Sequence, residues 1–146
     1  MAADRTRGVV DTNVLILRHW IAPSDLPEEL AISAVTLAEL SAGVHHVSGD
    51  GEDAVRERAR RVDVLQRAES DFDPIPFDAN AARRYGQLSA AVLALGRVPR
   101  RRVADLMIAA TASVLGLPLY TTNPDDYAGL AQWVDVRAVP RPPSAP

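Results

Sequence analysis

Apolar and polar positions follow two rhythms along this chain, and the first is a short apolar run broken by three polar residues. Val9 and Val10 lead into Asp11, Thr12 and Asn13, after which Val14 and Leu15 resume the apolar run. A continuous apolar segment reads as a buried parallel strand. The break then places Asp11 at the strand's carboxyl end, where open α/β sheets gather ligands. Asp, Thr and Asn are also common capping residues, so Asp11 reads equally as the N-cap of a helix expected over residues 14–20. Two prolines within residues 23–27 end that helix in a loop. Residues 30–33 predict a second short strand, and Ser33 is placed to cap a helix over residues 34–45. In that helix Val35, Leu37, Ala38 and Leu40 surround a single carboxylate, Glu39. An acid in such company is either a site residue or a side chain turned to solvent beside Thr36 and Ser41.

Helical periodicity then dominates. Residues 52–68 set Val55, Ala59, Val62 and Leu65 on one face, with Arg58, Arg60 and Arg61 opposite Glu57, Asp63 and Glu69 on a solvated face. Residues 72–77 contain two prolines, which limit them to a link or an edge strand. Asp78 caps a helix carrying Ala82, Tyr85, Leu88, Val92 and Leu95 and closed by Gly96, and these two long helices are expected to form a hairpin beside the sheet. Residues 96–102 predict a loop bearing Arg97, Arg100, Arg101 and Arg102. Positive charge beside a helix start opposes the macrodipole, so helix stability does not explain the cluster, whereas a polyanion would; the alternative is a solvated loop paired with surface acids. Residues 105–115 are a nearly all-apolar helix opened by Asp105 and closed by Gly116, which suits an element packed against a sheet and covered on its other side. Residues 117–121 lead into another strand, residues 122–127 form the turn leaving it, and residues 133–139 predict a last strand. The alternation describes an α/β domain with a central parallel sheet over residues 1–139, followed by a Pro-rich tail, 140–146, expected to be disordered.

Composition narrows the chemistry. At 146 residues and 47% hydrophobic, the chain is long enough to bury a core as one domain. No run approaches the roughly eighteen apolar residues of a membrane span, and the first five residues lack a signal peptide's apolar stretch, so a soluble, cytoplasmic protein is expected. There is no cysteine, and all 16 basic residues are arginine. That excludes disulfides, thiol nucleophiles, thiolate zinc sites, Schiff-base chemistry and a Walker A loop. It also argues against phosphoryl-transfer domains in which Asp11 would be a nucleophile, since those rely on a lysine. The net charge of −3 carries no global signature of nucleic-acid binding. Adjacent His45 and His46 point about 100° apart on a helix and make a poor metal-ligand pair.

Four acids stand out at comparable junctions: Asp11, Glu39, Asp105 and Asp126. In a parallel sheet such positions converge on one edge. Clustered carboxylates repel by roughly 4 kcal/mol per pair at about 4 Å with an effective dielectric near ~20, so the cluster calls for a cation. Oxygen-only donors around an open polar cleft suit Mg²⁺ or Mn²⁺, and a pair of such ions activates water and stabilises the leaving oxygen in phosphodiester cleavage.

Four sequence blocks carry a family resemblance: Val9 to Leu15 around Asp11, Thr12 and Asn13; Ser33 to Leu40 with Thr36 and Glu39; Asp105 to Ala112; and Thr121 to Tyr127. In this order and spacing they resemble the PIN-domain ribonucleases, and within them the VapC-type toxins of bacterial toxin-antitoxin pairs. The resemblance runs from Val9 to about Val139. It implies a three-layer α/β/α fold, a metal-dependent endoribonuclease acting on structured RNA such as tRNA or rRNA, inhibition by a VapB-like antitoxin, and a homodimer. It further implies that Asp11, Asp105 and an acid of the fourth block hold the metal, with Glu39 binding directly or through water. Thr12, Asn13 and Thr121 would orient carboxylates or water. In the fourth block some family members carry the acid at the place of Asn123; here the acids are Asp125 and Asp126. Asp126 is favoured, and whether Asn123 contributes an oxygen stays open. Arg97, Arg100, Arg101 and Arg102 would then position the RNA backbone. The non-enzymatic alternative is a catalytically silent RNA- or partner-binding module of the same fold.

Overall fold

Neighbouring residues of each strand point to opposite faces of the sheet, and that sorting builds the layers. A computed structural model of the chain describes residues 6–143, except for the side chain of Arg101. Strands β1 (Arg7–Val10), β2 (Glu29–Ala31), β3 (Leu119–Thr121) and β4 (Val136–Ala138) form one sheet in the order β2-β1-β3-β4, every neighbouring pair parallel. Val9, Ala31 and Leu119 enter one core with Leu88, Val92, Leu106 and Ile108. Val10, Ile32 and Tyr120 enter a second with Val14, Leu15, Leu40 and Ala68. The first core belongs to helices α4 (Ala79–Ala94) and α5 (Val103–Leu115), the second to α1 (Thr12–Leu17), α2 (Ala34–His45) and α3 (Glu52–Asp71). This is the three-layer α/β/α arrangement with a parallel sheet.

The expected hairpin of the two long helices is not what forms. α3 packs principally on α2, and α4 on α5. Of the row expected on α3, Leu65 joins one core together with Val64 and Ala68, whereas Val55 and Ala59 are exposed; Leu88 and Val92 of α4 join the other core. The chain between them therefore changes faces at the edge of the sheet. There Ile75 bridges Ser33 in parallel: its amide donates to the Ile32 carbonyl and its carbonyl accepts from Ala34, both at 2.8 Å. Residues 72–77 are thus the edge link that their two prolines allow.

Other boundaries shift by a few residues. The helix after Asp11 runs six residues before tightening into a 3-10 turn at Arg18–Trp20, and the arginine-rich loop contains a 3-10 turn, Pro99–Arg102. The last strand shortens to Val136–Ala138 because the Trp133 and Val134 amides close a turn on the Leu130 carbonyl, at 2.8 and 3.0 Å. Residues 140–143 carry no helix or strand, and the rest of the expected disordered tail, 144–146, lies outside the described residues.

Capping chemistry sets the helix starts as the sequence suggests: Ser33 Oγ accepts from the Val35 amide at 3.0 Å and Asp78 Oδ1 from Ala81 at 2.9 Å. Gly116 closes α5 at φ 65°, a left-handed conformation that glycine adopts without penalty. Gly8 is needed for a different reason, since a Cβ there would lie 2.5 Å from the Tyr120 ring. β1 has β2 on one side and β3 on the other, so the connections leaving the sheet diverge between β1 and β3. At such a switch point the carboxyl ends of the strands open a crevice. Among the described residues, no helix is long and apolar enough to cross a membrane.

Candidate active site

The crevice is built from both strand exits. The Asp11 amide donates to the Tyr120 carbonyl at 3.1 Å, the last rung between β1 and β3, and the chain then turns into α1. Asp11 does cap that helix: its Oδ1 accepts from the Val14 amide at 3.0 Å, and the residue is only 5% exposed. The two sequence readings of Asp11 are therefore compatible. One carboxylate oxygen serves the helix and the other, Oδ2, faces the crevice, where the Tyr127 hydroxyl donates to it at 3.3 Å.

Asp105 enters from the first turn of α5, a position in which the helix dipole favours a carboxylate. The same Tyr127 hydroxyl reaches its Oδ1 at 3.5 Å, so one phenol spans two acids 94 residues apart in sequence. Glu39 comes from α2 and is exposed, yet it is held: the Thr12 hydroxyl donates to its Oε1 at 2.6 Å and lies 3.1 Å from the hydroxyl of buried Thr36. Thr36 precedes Glu39 by three residues, which puts both on one helix face. Asp126 lies in the 3-10 turn Pro124–Tyr127 after β3, ion-paired with Arg102.

The electrostatics reflect this convergence. Burial pushes the Asp105 carboxyl up to about 6, helped by the negative charges of Asp126, Asp11 and Glu39 and offset in part by Arg102. Burial also raises Asp11, against the lowering effect of its hydrogen bonds from Thr121, Val14 and Tyr127. Burial beside Asp11 and Asp105 raises the Tyr127 phenol, so it stays protonated and available as a donor.

The other residues singled out in the sequence divide. Thr121 is buried beside Asp11, and its hydroxyl also accepts from the Asn123 amide at 3.0 Å. Asn13 and Asn123 are exposed, and among the described residues neither side chain bonds a carboxylate. Asp125 is exposed, while Asp126 faces the other acids; of the two, Asp126 belongs to the cluster. Arg97 donates to the Asp125 carbonyl at 2.9 Å, Arg102 pairs with Asp126, and Arg100 is exposed; the side chain of Arg101 lies outside the described residues.

Two clefts flank the acids. One, of about 350 Å³, is lined by Arg97, Val98, Arg102, Asp125 and Asp126; the other, of about 260 Å³, by Thr12, Glu39, Leu40, Arg60 and Arg61. Arg60 and Arg61 both bind Glu57, holding its carboxyl down at about 2.

The matching family profile is that of the PIN domain, over residues 8–131. The chain belongs to the PIN-domain family. This PIN domain is 35% identical over 133 residues to Ribonuclease VapC5 of Mycobacterium tuberculosis, covering 89% of this chain and 92% of that protein. It is 34% identical over 140 residues to the VapC ribonuclease Y4jK of Sinorhizobium fredii, covering 84% of this chain and 92% of the relative. Among solved structures it is similar to VapBC-5 of Mycobacterium tuberculosis, a member of the VapBC family of toxin-antitoxin systems. The TM-score is 0.73 at 33% identity, over 93% of this chain and 99% of that one. DNA-bound VapBC of Salmonella typhimurium shares the fold, with a TM-score of 0.66 at 22% identity over 91% and 98% of the two chains. The PIN domain is thus a relative of toxin-antitoxin ribonucleases of the VapC type.

For a divalent cation, the donor set of this PIN domain has the right chemistry. Asp11, Asp105, Glu39 and Asp126 offer oxygen alone, and the strain on Asp105 is the kind that a cation relieves. Among the described residues no three acidic or histidine side chains form a ready-made shell. Donors from the chain, Tyr127, Thr12 and Arg102, hold the carboxylates instead.

Sequence reasoning missed two participants. Thr36 reads as a solvent neighbour of Glu39, and its burial follows only from α2 packing on the sheet. Tyr127 reads as the end of a turn, since a phenol and a phenyl ring fill a core equally and the hydroxyl declares itself only through its neighbours.

Proposed function

We propose that this PIN domain is the toxin of a toxin-antitoxin pair: a cytoplasmic endoribonuclease that requires Mg²⁺ or Mn²⁺ and cuts structured RNA of the tRNA or rRNA class. The observation that carries the reading is the convergence of acids from four segments of the chain on one crevice, where Asp105, its carboxyl raised first by burial, is raised further by Asp126, Asp11 and Glu39. A fold does not gather unbalanced charge for stability, and perturbed carboxylates in a cleft mark functional sites. Asp11, Asp105 and Asp126 would hold the cation, with Glu39 binding directly or through water. A bound divalent cation supplies Lewis-acid polarisation of a phosphate oxygen and a more acidic water. The chain's own groups do the rest. Thr12 fixes the rotamer of Glu39, and Thr121 fixes Asp11. Arg97, Arg100, Arg101 and Arg102 would anchor phosphates flanking the cleaved bond, a task the acids cannot perform, with Arg102 divided between that role and its ion pair with Asp126. Asn13, exposed beside Thr12, would orient water, and Asn123 offers an amide oxygen in the turn that carries Asp126.

VapBC-5 of Mycobacterium tuberculosis belongs to a family of toxin-antitoxin systems, and the same partner class fits here: a small VapB-like protein whose segment covers the acidic crevice. Self-association as a homodimer would use apolar surface, and Leu93, Leu95, Val98 and Val103 are all exposed.

The test is cleavage of total RNA by purified protein with Mn²⁺ or with chelator, followed by sequencing of the cut ends after a brief pulse of expression. Metal-dependent cuts in structured RNA are expected. Unchanged cleavage in chelator contradicts the metal reading; no cleavage and no melting shift with Mn²⁺ favours the silent binding module.

A further inference from the structure

Tyr127 is 2% exposed, its ring packed in the core with Val9, Leu106, Ile108 and Leu130. A phenylalanine would fill that space, so packing accounts for the ring and leaves the hydroxyl to be explained. A buried phenol needs a partner, and this one is placed between two. It lies 3.3 Å from Asp11 Oδ2 and 3.5 Å from Asp105 Oδ1. Both distances exceed the ~2.7 Å typical of O–H···O bonds, as expected where one proton is shared between two acceptors rather than given to either.

The two acids depend on it unequally. Asp11 has its Oδ1 fixed by the Val14 amide and is bonded by Thr121 as well, so Tyr127 only adds a donor at Oδ2. Asp105 therefore has this hydroxyl as its one side-chain hydrogen-bond partner among the described residues, and the same hydroxyl ties it to Asp11 at the exit of β1.

We propose that Tyr127 is a positioning residue of the carboxylate site, its hydroxyl setting the spacing and orientation of Asp11 and Asp105 for a shared divalent cation. The inference rests on the cation reading above, and the experiment separates the two. Unaltered protein, Tyr127→Phe and Leu130→Val are stripped with chelator and titrated with Mn²⁺ in the absence of RNA, free Mn²⁺ being read by its electron paramagnetic resonance signal. Each is also melted in chelator. Leu130 is the packing control, buried in the same segment and bonded through its amide to the Tyr127 carbonyl at 3.3 Å.

Tyr127→Phe is expected to bind Mn²⁺ about tenfold more weakly, the usual cost of losing an outer partner of a ligand, while melting in chelator like the parent. Leu130→Val is expected to melt lower and bind Mn²⁺ like the parent. Equal Mn²⁺ affinity in Tyr127→Phe and parent overturns the role of the hydroxyl alone. Parallel losses of affinity and stability in both variants overturn it too, since packing then explains the effect. No Mn²⁺ uptake by the parent at millimolar concentration overturns the cation reading, and this inference with it.

Discussion

The four acids of the crevice fall into two pairs that the chain treats differently. Glu39 and Asp126, the outer pair, each have a dedicated donor: a threonine hydroxyl at 2.6 Å for one, a guanidinium for the other. Asp11 and Asp105, the inner pair, share the neutral hydroxyl of Tyr127, and Asp11 is held as well by the Val14 amide and by Thr121. Asp105 in particular is raised to about 6, by burial first and by the charges of Asp126, Asp11 and Glu39 after it. The fold thus gives each rim acid its own donor and leaves Asp105, in the centre, with one shared hydroxyl. A cation would answer that central charge; on the proposed reading Asp11 and Asp105 hold it most closely, with Asp126 completing the set and Glu39 binding directly or through water.

The largest expected effects follow from removing a central charge. Asp11→Asn and Asp105→Asn keep side-chain volume and lower RNA cleavage at least ~100-fold, beyond the loss typical of an outer partner, with circular dichroism unchanged. Both also lose the rise in melting temperature produced by Mn²⁺, which for native-state binding reaches about 2.7 kcal/mol at a hundredfold excess over Kd. Full cleavage in either variant would falsify the distinction. Glu39→Gln and Asp126→Asn, measured in the same assay, lose about tenfold in cleavage and retain a Mn²⁺-induced shift. Equal losses in all four variants would erase the contrast between rim and centre.

The inner pair was largely legible in the sequence, because position relative to an apolar run is a strand-level property: Asp11 follows β1 and Asp105 opens an apolar helix, whatever the tertiary detail. Glu39 was legible as an anomaly, an acid among apolar neighbours. What the sequence did not reveal depends on how elements pack. The two long helices have apolar rows of equal quality, and nothing local says that α3 goes to one face and α4 to the other, since only the edge crossing at Ile75 separates them. Arg60 and Arg61 read as solvated for the same reason: their cleft exists only once α3 lies along α2. Arg102 was legible as basic but not as a partner of Asp126, a contact across 24 residues between two turns.

A smaller effect concerns pH. Asp105 titrates near 6 in the fold and near 3.9 in an unfolded chain, so between those values the native state binds more protons than the unfolded one. Stability is then full below about 4 and is lost as the pH rises through about 6. Raised Asp11 adds in the same direction, while Glu57, held at about 2, acts only below its unfolded value near ~4.3. In chelator, the melting temperature of Asp105→Asn should pull ahead of the parent as pH rises from 4 to 6 and hold that lead above it. Parallel melting curves across this range would show that the centre is not strained.

The smallest expected effects separate the arginines at the rim. Arg100 is exposed, whereas Arg102 is committed to Asp126. Their pair is partly exposed, 39% and 29% for the two side chains, so it contributes at most ~1 kcal/mol to stability. If Arg100 serves RNA alone, Arg100→Gln lowers the salt dependence of RNA binding by a slope of roughly 0.7, the value of one single-strand phosphate contact, and leaves Mn²⁺-induced stabilisation untouched. Arg102→Gln removes the countercharge from Asp126 and should instead strengthen Mn²⁺ binding, because one competing cation is gone. Salt titrations of RNA binding and Mn²⁺ titrations of both variants check this. An identical response of the two would mean that the Asp126 pair holds neither charge in place and that Arg102 is as available to phosphate as Arg100.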